Sequence, residues 1–226
     1  MSGARMEIAA SILNADLGAL REAVQAAEAA GVDRIHLDIM DGHFVPNLTF
    51  GLATVEALRS ATKLPFDAHL MIASPGLWAR RYVDAGCESV AIHVEAPDQH
   101  RATLDAIRDS GGRAGLALDP ETPIESLASF RDQLDFALVM TVKSGFGGQS
   151  YRPESAARMA AIRTLVGERD GHALPLHVDG GINVTTAGEA TRAGADLLVV
   201  GSALFSAQGA SAMRGVVTAI RESATR

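Results

Sequence analysis

Residues 35–51 read I-H-L-D-I-M-D-G-H-F-V-P-N-L-T-F-G, and this stretch decides the fold. It opens as a strand, with Ile35, Leu37 and Ile39 alternating with His36, Asp38 and Met40. Alternate side chains of a strand point to opposite faces, so His36, Asp38 and Met40 share one face. That face joins an imidazole, a carboxylate and a thioether, while the other is aliphatic. A half-exposed edge strand would explain the polar residues but not the methionine. A buried strand accepts His36 and Asp38 only if they have a partner, and a metal ion is one. Asp41-Gly42 then turns the chain, and Pro46 and Asn47 keep it irregular.

Outward from this strand, strand and helix signals alternate to both ends. Strands are expected at Ile8–Leu13, Arg34–Met40, Phe66–Met71, Glu88–Val94, Arg113–Leu118, Asp135–Val142, Leu174–Val178 and Asp196–Val200. Helices are expected at Leu17–Ala30, Leu52–Ala61, Pro75–Ala85, His100–Ser110, Pro123–Phe130, Pro153–Val166, Val184–Ala193 and Ala210–Ile220. The phrase Ala-Gly-(Val/Cys/Ala)-(Asp/Glu) recurs before strands two, four and eight, starting at Ala30, Ala85 and Ala193. Eight such units argue for an α/β fold, a single (β/α)₈ TIM barrel over residues 1–226, with residues 1–6 as a flexible tail.

Composition agrees. Of 226 residues, 47% are hydrophobic and 21% charged, enough apolar material for a large core. The net charge of -7 argues against binding nucleic acid or an anionic membrane. A single cysteine, Cys87, excludes an intramolecular disulfide and a cysteine metal cluster. It is expected as a small apolar residue where a helix hands over to a strand. No signal region or membrane-length apolar run is present, so a cytoplasmic enzyme is expected.

Barrel chemistry sits where strands end and βα loops begin. The residues there are Ser11, His36, Asp38, Met40, His69, Met71, His93, Asp119, Met140, Asp179 and Ser202. His36, Asp38, His69 and Asp179 supply two imidazoles and two carboxylates without thiolate, a set suited to Zn²⁺, Fe²⁺, Mn²⁺ or Co²⁺. Asp38 and Asp179 come from opposite sides of the mouth. One could remove a proton from a carbon centre while the other returns one, which inverts the centre. A metal would stabilise the enediolate formed beside a carbonyl. Helix capping is the plainer reading of either aspartate alone. The glycines of Gly145-Phe146-Gly147-Gly148, Gly180-Gly181 and Gly201-Ser202 follow strands six, seven and eight. Backbone N–H groups there can approach a phosphate. Met40, Met71 and Met140 are packing residues that here wall the mouth. His93 is read as a support behind the ligands, His177 as core, His43 as a lid residue, and His100 and His172 as solvated. Lys143 offers a rival, a Schiff-base lyase, although it is out of phase with the inward-facing Met140.

On these residues the chain resembles the ribulose-phosphate 3-epimerase family along nearly its whole length. The motifs are S-I-L-N-A-D from Ser11, H-L-D-I-M-D-G-H-F-V-P-N-L-T-F-G from His36 and D-A-H-L-M-I from Asp67. To these add L-V-M-T-V from Leu138, G-F-G-G-Q-S from Gly145, V-D-G-G-I-N from Val178 and G-S-A-L-F from Gly201. The resemblance implies interconversion of D-ribulose 5-phosphate and D-xylulose 5-phosphate, in the pentose phosphate pathway or the Calvin cycle. It implies one divalent metal on His36, Asp38, His69 and Asp179, with Asp38 and Asp179 as the acid–base pair. Ser11 and His69 would contact substrate, the methionines would line the enediolate pocket, and the glycine loops would take the phosphate. It also implies a homo-oligomer. The nearest alternative substrate is a related phosphosugar such as allulose 6-phosphate, and a further alternative is a barrel that binds phosphosugars without turnover. Two positions depart from the family pattern. Ala10 stands where Pro is usual, and Lys143-Ser144 stands where an acidic residue or Asn precedes Pro. The second is expected to loosen the strand-six loop and to add positive charge near the phosphate.

Overall fold

The computed structural model describes residues 6–169 and 171–225. Eight strands form a closed parallel barrel: β1 Glu7–Ser11, β2 Arg34–Met40, β3 Phe66–Met71, β4 Cys87–His93, β5 Arg113–Leu118, β6 Phe136–Met140, β7 Leu176–Asp179 and β8 Leu197–Val200. Each pairs with its neighbours in sequence, and β1 closes the ring on β8. The surrounding helices are α1 Leu20–Ala30, α2 Leu52–Leu58, α3 Ala79–Asp84, α4 His100–Asp109, α5 Ser155–Val166, α6 Ala187–Arg192, α7 Ser202–Phe205 and α8 Ala210–Ala224. Of the expected tail, residues 1–5 lie outside the described residues. Met6 packs against the core, and its carbonyl accepts a hydrogen bond from Arg221.

The aliphatic faces of the strands meet the helices in one continuous apolar layer. Ile35, Leu37 and Ile39 enter it from β2, and Met213, Val217 and Ile220 enter it from one stripe of α8. The recurring handover phrase has a physical basis. Gly31, Gly86 and Gly194 end their helices with φ of 92°, 99° and 109°, a conformation that favours glycine. The acidic residue two places on then fixes the next strand. Asp33 accepts the N–H of Ile8, and Asp196 accepts the N–H of Leu176. In the phrase before β4, Glu88 instead pairs with Arg34.

Inside the ring the contents change with height. At the bottom Arg34 forms ion pairs with Glu7, Asp67 and Glu88 at 2.8, 2.8 and 2.6 Å. Above it Phe136 stacks on His177 with ring centres 4.3 Å apart. Gly115 makes room, because a side chain there would enter the Phe136 ring. The polar layer of the site lies nearer the mouth.

Several expected elements are shorter than their sequence bounds: α3 covers only Ala79–Asp84 after a 3₁₀ turn at Pro75–Leu77, α6 only Ala187–Arg192, and β6 only Phe136–Met140. Further differences change the kind of element. The first strand stops at Ser11, and Ile12–Asn14 form a 3₁₀ turn. The segment Ile124–Gln133 is 3₁₀ rather than α. Its apolar residues Ile124, Leu127 and Phe130 recur every third residue, which suits three residues per turn. Glu168–Arg169 pairs antiparallel with His172–Ala173 ahead of β7, which begins at Leu176. The short α7 starts at Ser202, directly after β8. Cys87 is the first residue of β4 and is buried, as expected. Among the described residues, no helix is long and apolar enough to cross a membrane.

Candidate active site

Strand register assembles the site. Asp38 pairs with His69 across β2 and β3, and Met40 pairs with Met71 two residues further on. Ser11 pairs with His36, and Met140 pairs with Asp179. Paired residues of adjacent strands face the same way, so one inward residue brings its partner with it.

Four side chains meet at one point. Nε2 of His36 stands 3.5 Å from Oδ1 of Asp38 and 3.8 Å from Oδ2 of Asp179. Nδ1 of His69 stands 3.3 and 3.7 Å from the same two oxygens. All four donors lie within 4.8 Å of one another. Donors about 2.1 Å from one ion in a tetrahedron stand roughly 3.4 Å apart, so these separations suit a single cation. Nε2 of His36 is also buried with no hydrogen-bond partner. A buried polar nitrogen is costly unless something pairs with it, and a cation would. These residues can hold a metal ion.

The charges agree. Burial pulls both imidazoles down, but the Asp38 and Asp179 carboxylates outweigh it, raising His36 and pushing His69 up to about 9. Burial pushes the Asp38 carboxyl up, but His36 and His69 hold it well below the usual carboxylate range. The carboxylates thus favour positive charge at this point, and a divalent cation held there would supply it.

A cavity opens above this cluster. Its wall includes Ser11, Asp38, Asp179, Met40, Met71, Met140, Gly145, Phe146, Gly147, Gly148, Gly180, Gly181, Gly201 and Ser202, so the fold gathers the residues expected there. His36 and His69 are not in the wall. His69 is fully buried beside Asp38. The hydroxyl of Ser11 donates to Oδ2 of Asp38 at 2.6 Å and so orients that carboxylate. Gly180 and Gly181 have φ of 118° and 64°, and a side chain at Gly181 would strike the Tyr151 backbone.

Sequence reasoning missed Asn14. Its amide fills the space between Gly147 and Gly201, where a side chain on either glycine would collide with it. It belongs to the 3₁₀ turn just beyond β1.

A second polar group lies behind His69. Nε2 of His69 is 2.8 Å from Nε2 of His93, and Nδ1 of His93 is 2.8 Å from Oε2 of Glu95. Glu95 also accepts from the backbone N–H of Asp119 and the hydroxyl of Thr122. Burial pushes its carboxyl up, but these hydrogen bonds hold it down at about 2. Glu95 lies beyond the end of β4 and carries no motif that marks it.

The Lys143-Ser144 loop is tied by hydrogen bonds. Ser144 donates its hydroxyl to Oδ1 of Asp119 at 2.6 Å, and the Lys143 ammonium contacts the other oxygen at 2.5 Å. Gln149 donates to the carbonyls of Lys143 and Phe146, and Asn47 donates to that of Gly145. The contact with Asp119 raises the Lys143 ammonium above its usual value and favours the charged form, whereas a Schiff-base lysine must be neutral to attack.

The other histidines have plainer roles. His177 is buried against Phe136, and His43 is exposed in the loop after β2. His172 is exposed in the small hairpin. His100, expected as solvated, is half-buried, bonding the His93 carbonyl and packing on Phe130.

Comparison with known proteins converges on one family. The model of the ribulose-phosphate 3 epimerase family matches residues 7–205. The chain is 41% identical to a ribulose-phosphate 3-epimerase of Bacillus subtilis (strain 168), covering 96% of this chain and 99% of that protein. It is 42% identical to one from Synechocystis, covering 92% of each. Among solved structures, KGPDC from Streptococcus mutans in complex with D-R5P superposes with a TM-score of 0.72 at 18% identity, over 96% of this chain and 98% of that one. At that identity the likeness speaks to the barrel alone. With the family model covering most of the barrel and relatives above 40% identity over nearly the full chain, this protein belongs to the ribulose-phosphate 3-epimerase family.

Proposed function

We propose that this chain interconverts D-ribulose 5-phosphate and D-xylulose 5-phosphate, with Asp38 and Asp179 as its acid–base pair. The observation that carries this reading is the approach of two carboxylates to one point from different sides of the barrel, beneath a glycine-rimmed cavity. Epimerisation at a carbon beside a carbonyl needs a proton removed from one face and another delivered to the opposite face. Asp38 is oriented by Ser11, and Asp179 comes from the far strand end, so each can address one face. His36, Asp38, His69 and Asp179 are the ligands in this reading. A divalent cation held by them supplies Lewis-acid stabilisation of the negative charge that develops on the sugar oxygens. Zn²⁺, Fe²⁺, Mn²⁺ and Co²⁺ all suit the donor set.

Met40, Met71 and Met140 are buried and wall the cavity, where they keep water from the reacting carbon. Gly147-Gly148, Gly180-Gly181 and Gly201-Ser202 offer backbone N–H groups to the phosphate, with the first turn of α7 beside them. The same reading takes the protein as a cytoplasmic homo-oligomer with one catalytic domain and a small phosphosugar as its partner.

The test is turnover. Purified protein is mixed with D-ribulose 5-phosphate and the products are followed by NMR, before chelation, after chelation and after return of each metal. Metal-restored formation of D-xylulose 5-phosphate is the expected result. Absence of product in metal-loaded protein would overturn the reading, and allulose 6-phosphate would then be tried.

A further inference from the structure

We infer that Glu95 and His93 form a positioning pair that sets the tautomer of His69, leaving Nδ1 of His69 free to bind the metal. This rests on the reading of the four-donor cluster as a metal site. It goes beyond that reading in assigning a role to two residues that touch neither the cluster's centre nor the cavity wall.

The inference follows from which atoms can donate. A carboxylate accepts hydrogen bonds and has none to give. Three donors converge on Glu95: Nδ1 of His93, the backbone N–H of Asp119 and the hydroxyl of Thr122. Nδ1 of His93 therefore carries the hydrogen, and a neutral His93 presents a bare lone pair at Nε2. That lone pair lies 2.8 Å from Nε2 of His69, too close for two lone pairs to face each other. Nε2 of His69 must donate. A neutral His69 then has its lone pair at Nδ1, the atom that points at Asp38 and Asp179.

The neighbours leave the chain no easy alternative. His69 and His93 are both fully buried, so water does not offer a substitute partner. Ser144 stands 3.4 Å from Nε2 of His93, but its proton goes to Asp119, so it does not compete for the lone pair. The His93 ring is held by Phe44 at 4.9 Å, and its carbonyl is bonded by His100. The arrangement is a carboxylate–histidine–histidine relay, one imidazole longer than the usual carboxylate–histidine–metal arrangement.

Glu95→Gln tests it with little change in shape. The Asp119 N–H still requires an acceptor, so the Gln oxygen stays there and its amide NH₂ turns toward His93. Nδ1 of His93 then becomes the acceptor, Nε2 of His93 becomes the donor, and the hydrogen of His69 is driven to Nδ1. Chelator-stripped full-length protein is titrated with Co²⁺ against a chromophoric competitor, without substrate, following the visible Co²⁺ absorption. Glu95→Gln should weaken Co²⁺ binding about 10- to 100-fold. Thr122→Val, which removes a donor without reversing the relay, should bind within about threefold of wild type.

Wild-type affinity in folded Glu95→Gln would overturn the inference while leaving the metal site standing. If the wild-type chain bound no Co²⁺, or bound it equally after His36→Ala, the metal reading would fall and this inference with it. A second measurement needs no variant. Long-range ¹H–¹⁵N spectra of the Zn²⁺-loaded wild type should show His93 protonated at Nδ1 and His69 at Nε2. The opposite tautomer at His93 would overturn the assignment.

Discussion

Asp38 and Asp179 bring carboxylate oxygens within 4.8 Å of each other from β2 and β7, strands that are not neighbours in the barrel. Two strands, β1 and β8, separate them around the ring. Their approach is therefore made across the mouth.

Asp38→Asn keeps the shape and removes the proposed base. We expect kcat to fall by about 10³-fold or more, with phosphosugar binding retained, as read by turnover and calorimetry. A near-normal rate would mean that Asp38 is not the base. Ser11→Ala removes the 2.6 Å hydrogen bond that orients Asp38 and should lower kcat roughly tenfold with a smaller change in KM.

Metal binding should compete with protons. His69 is pushed up to about 9 by its carboxylate partners, so below that pH a cation must displace its proton. Apparent affinity should therefore rise with pH up to about 9 and fall as the solution is acidified. Calorimetry in buffers of different ionisation enthalpy near pH 7 should detect protons released on binding. Binding with no proton release and no pH dependence would contradict the charge state assigned here.

Gly181→Ala tests the glycine loop after β7, proposed to take the phosphate. Residue 181 has φ of 64°, and the added methyl meets the Tyr151 backbone, which cannot rotate away as a side chain can. The change should destabilise the protein by roughly 2–4 kcal/mol in denaturant unfolding and raise KM. Gly148→Ala meets no atom within 4 Å, although its φ of 76° is still unfavourable, and should be milder.

Cys87 should be inert in the folded protein. Burial pushes its thiol up to about 12, helped by the charge of Asp67, so little thiolate exists at neutral pH. A thiol reagent at pH 8 should leave it unmodified until denaturant is added. Rapid reaction of native protein would show that the start of β4 opens readily.

The alternation of residues 35–40 and the recurring handover phrase made the barrel legible, because period-2 patterning and helix-ending glycines are local signals. The four-donor cluster was legible for the same reason, since each ligand lies on a strand of known phase. Glu95, Asn14 and the partners of Lys143-Ser144 were not. Glu95 finds Thr122 and Asp119 only after β4 and β5 are side by side, and Asn14 meets Gly147 and Gly201 in the loops after β6 and β8. Such contacts depend on loop paths, which leave no periodic trace in the chain.

The most direct test of the two-carboxylate account is a single passage of D-ribulose 5-phosphate through metal-loaded enzyme in deuterated water, read at C3 by NMR. If separate groups serve the two faces, newly formed D-xylulose 5-phosphate should carry deuterium at C3 from its first appearance. The remaining substrate should still be mostly protiated. Product that keeps its original C3 hydrogen would mean that one group carries the proton across, and the roles given to Asp38 and Asp179 would be wrong.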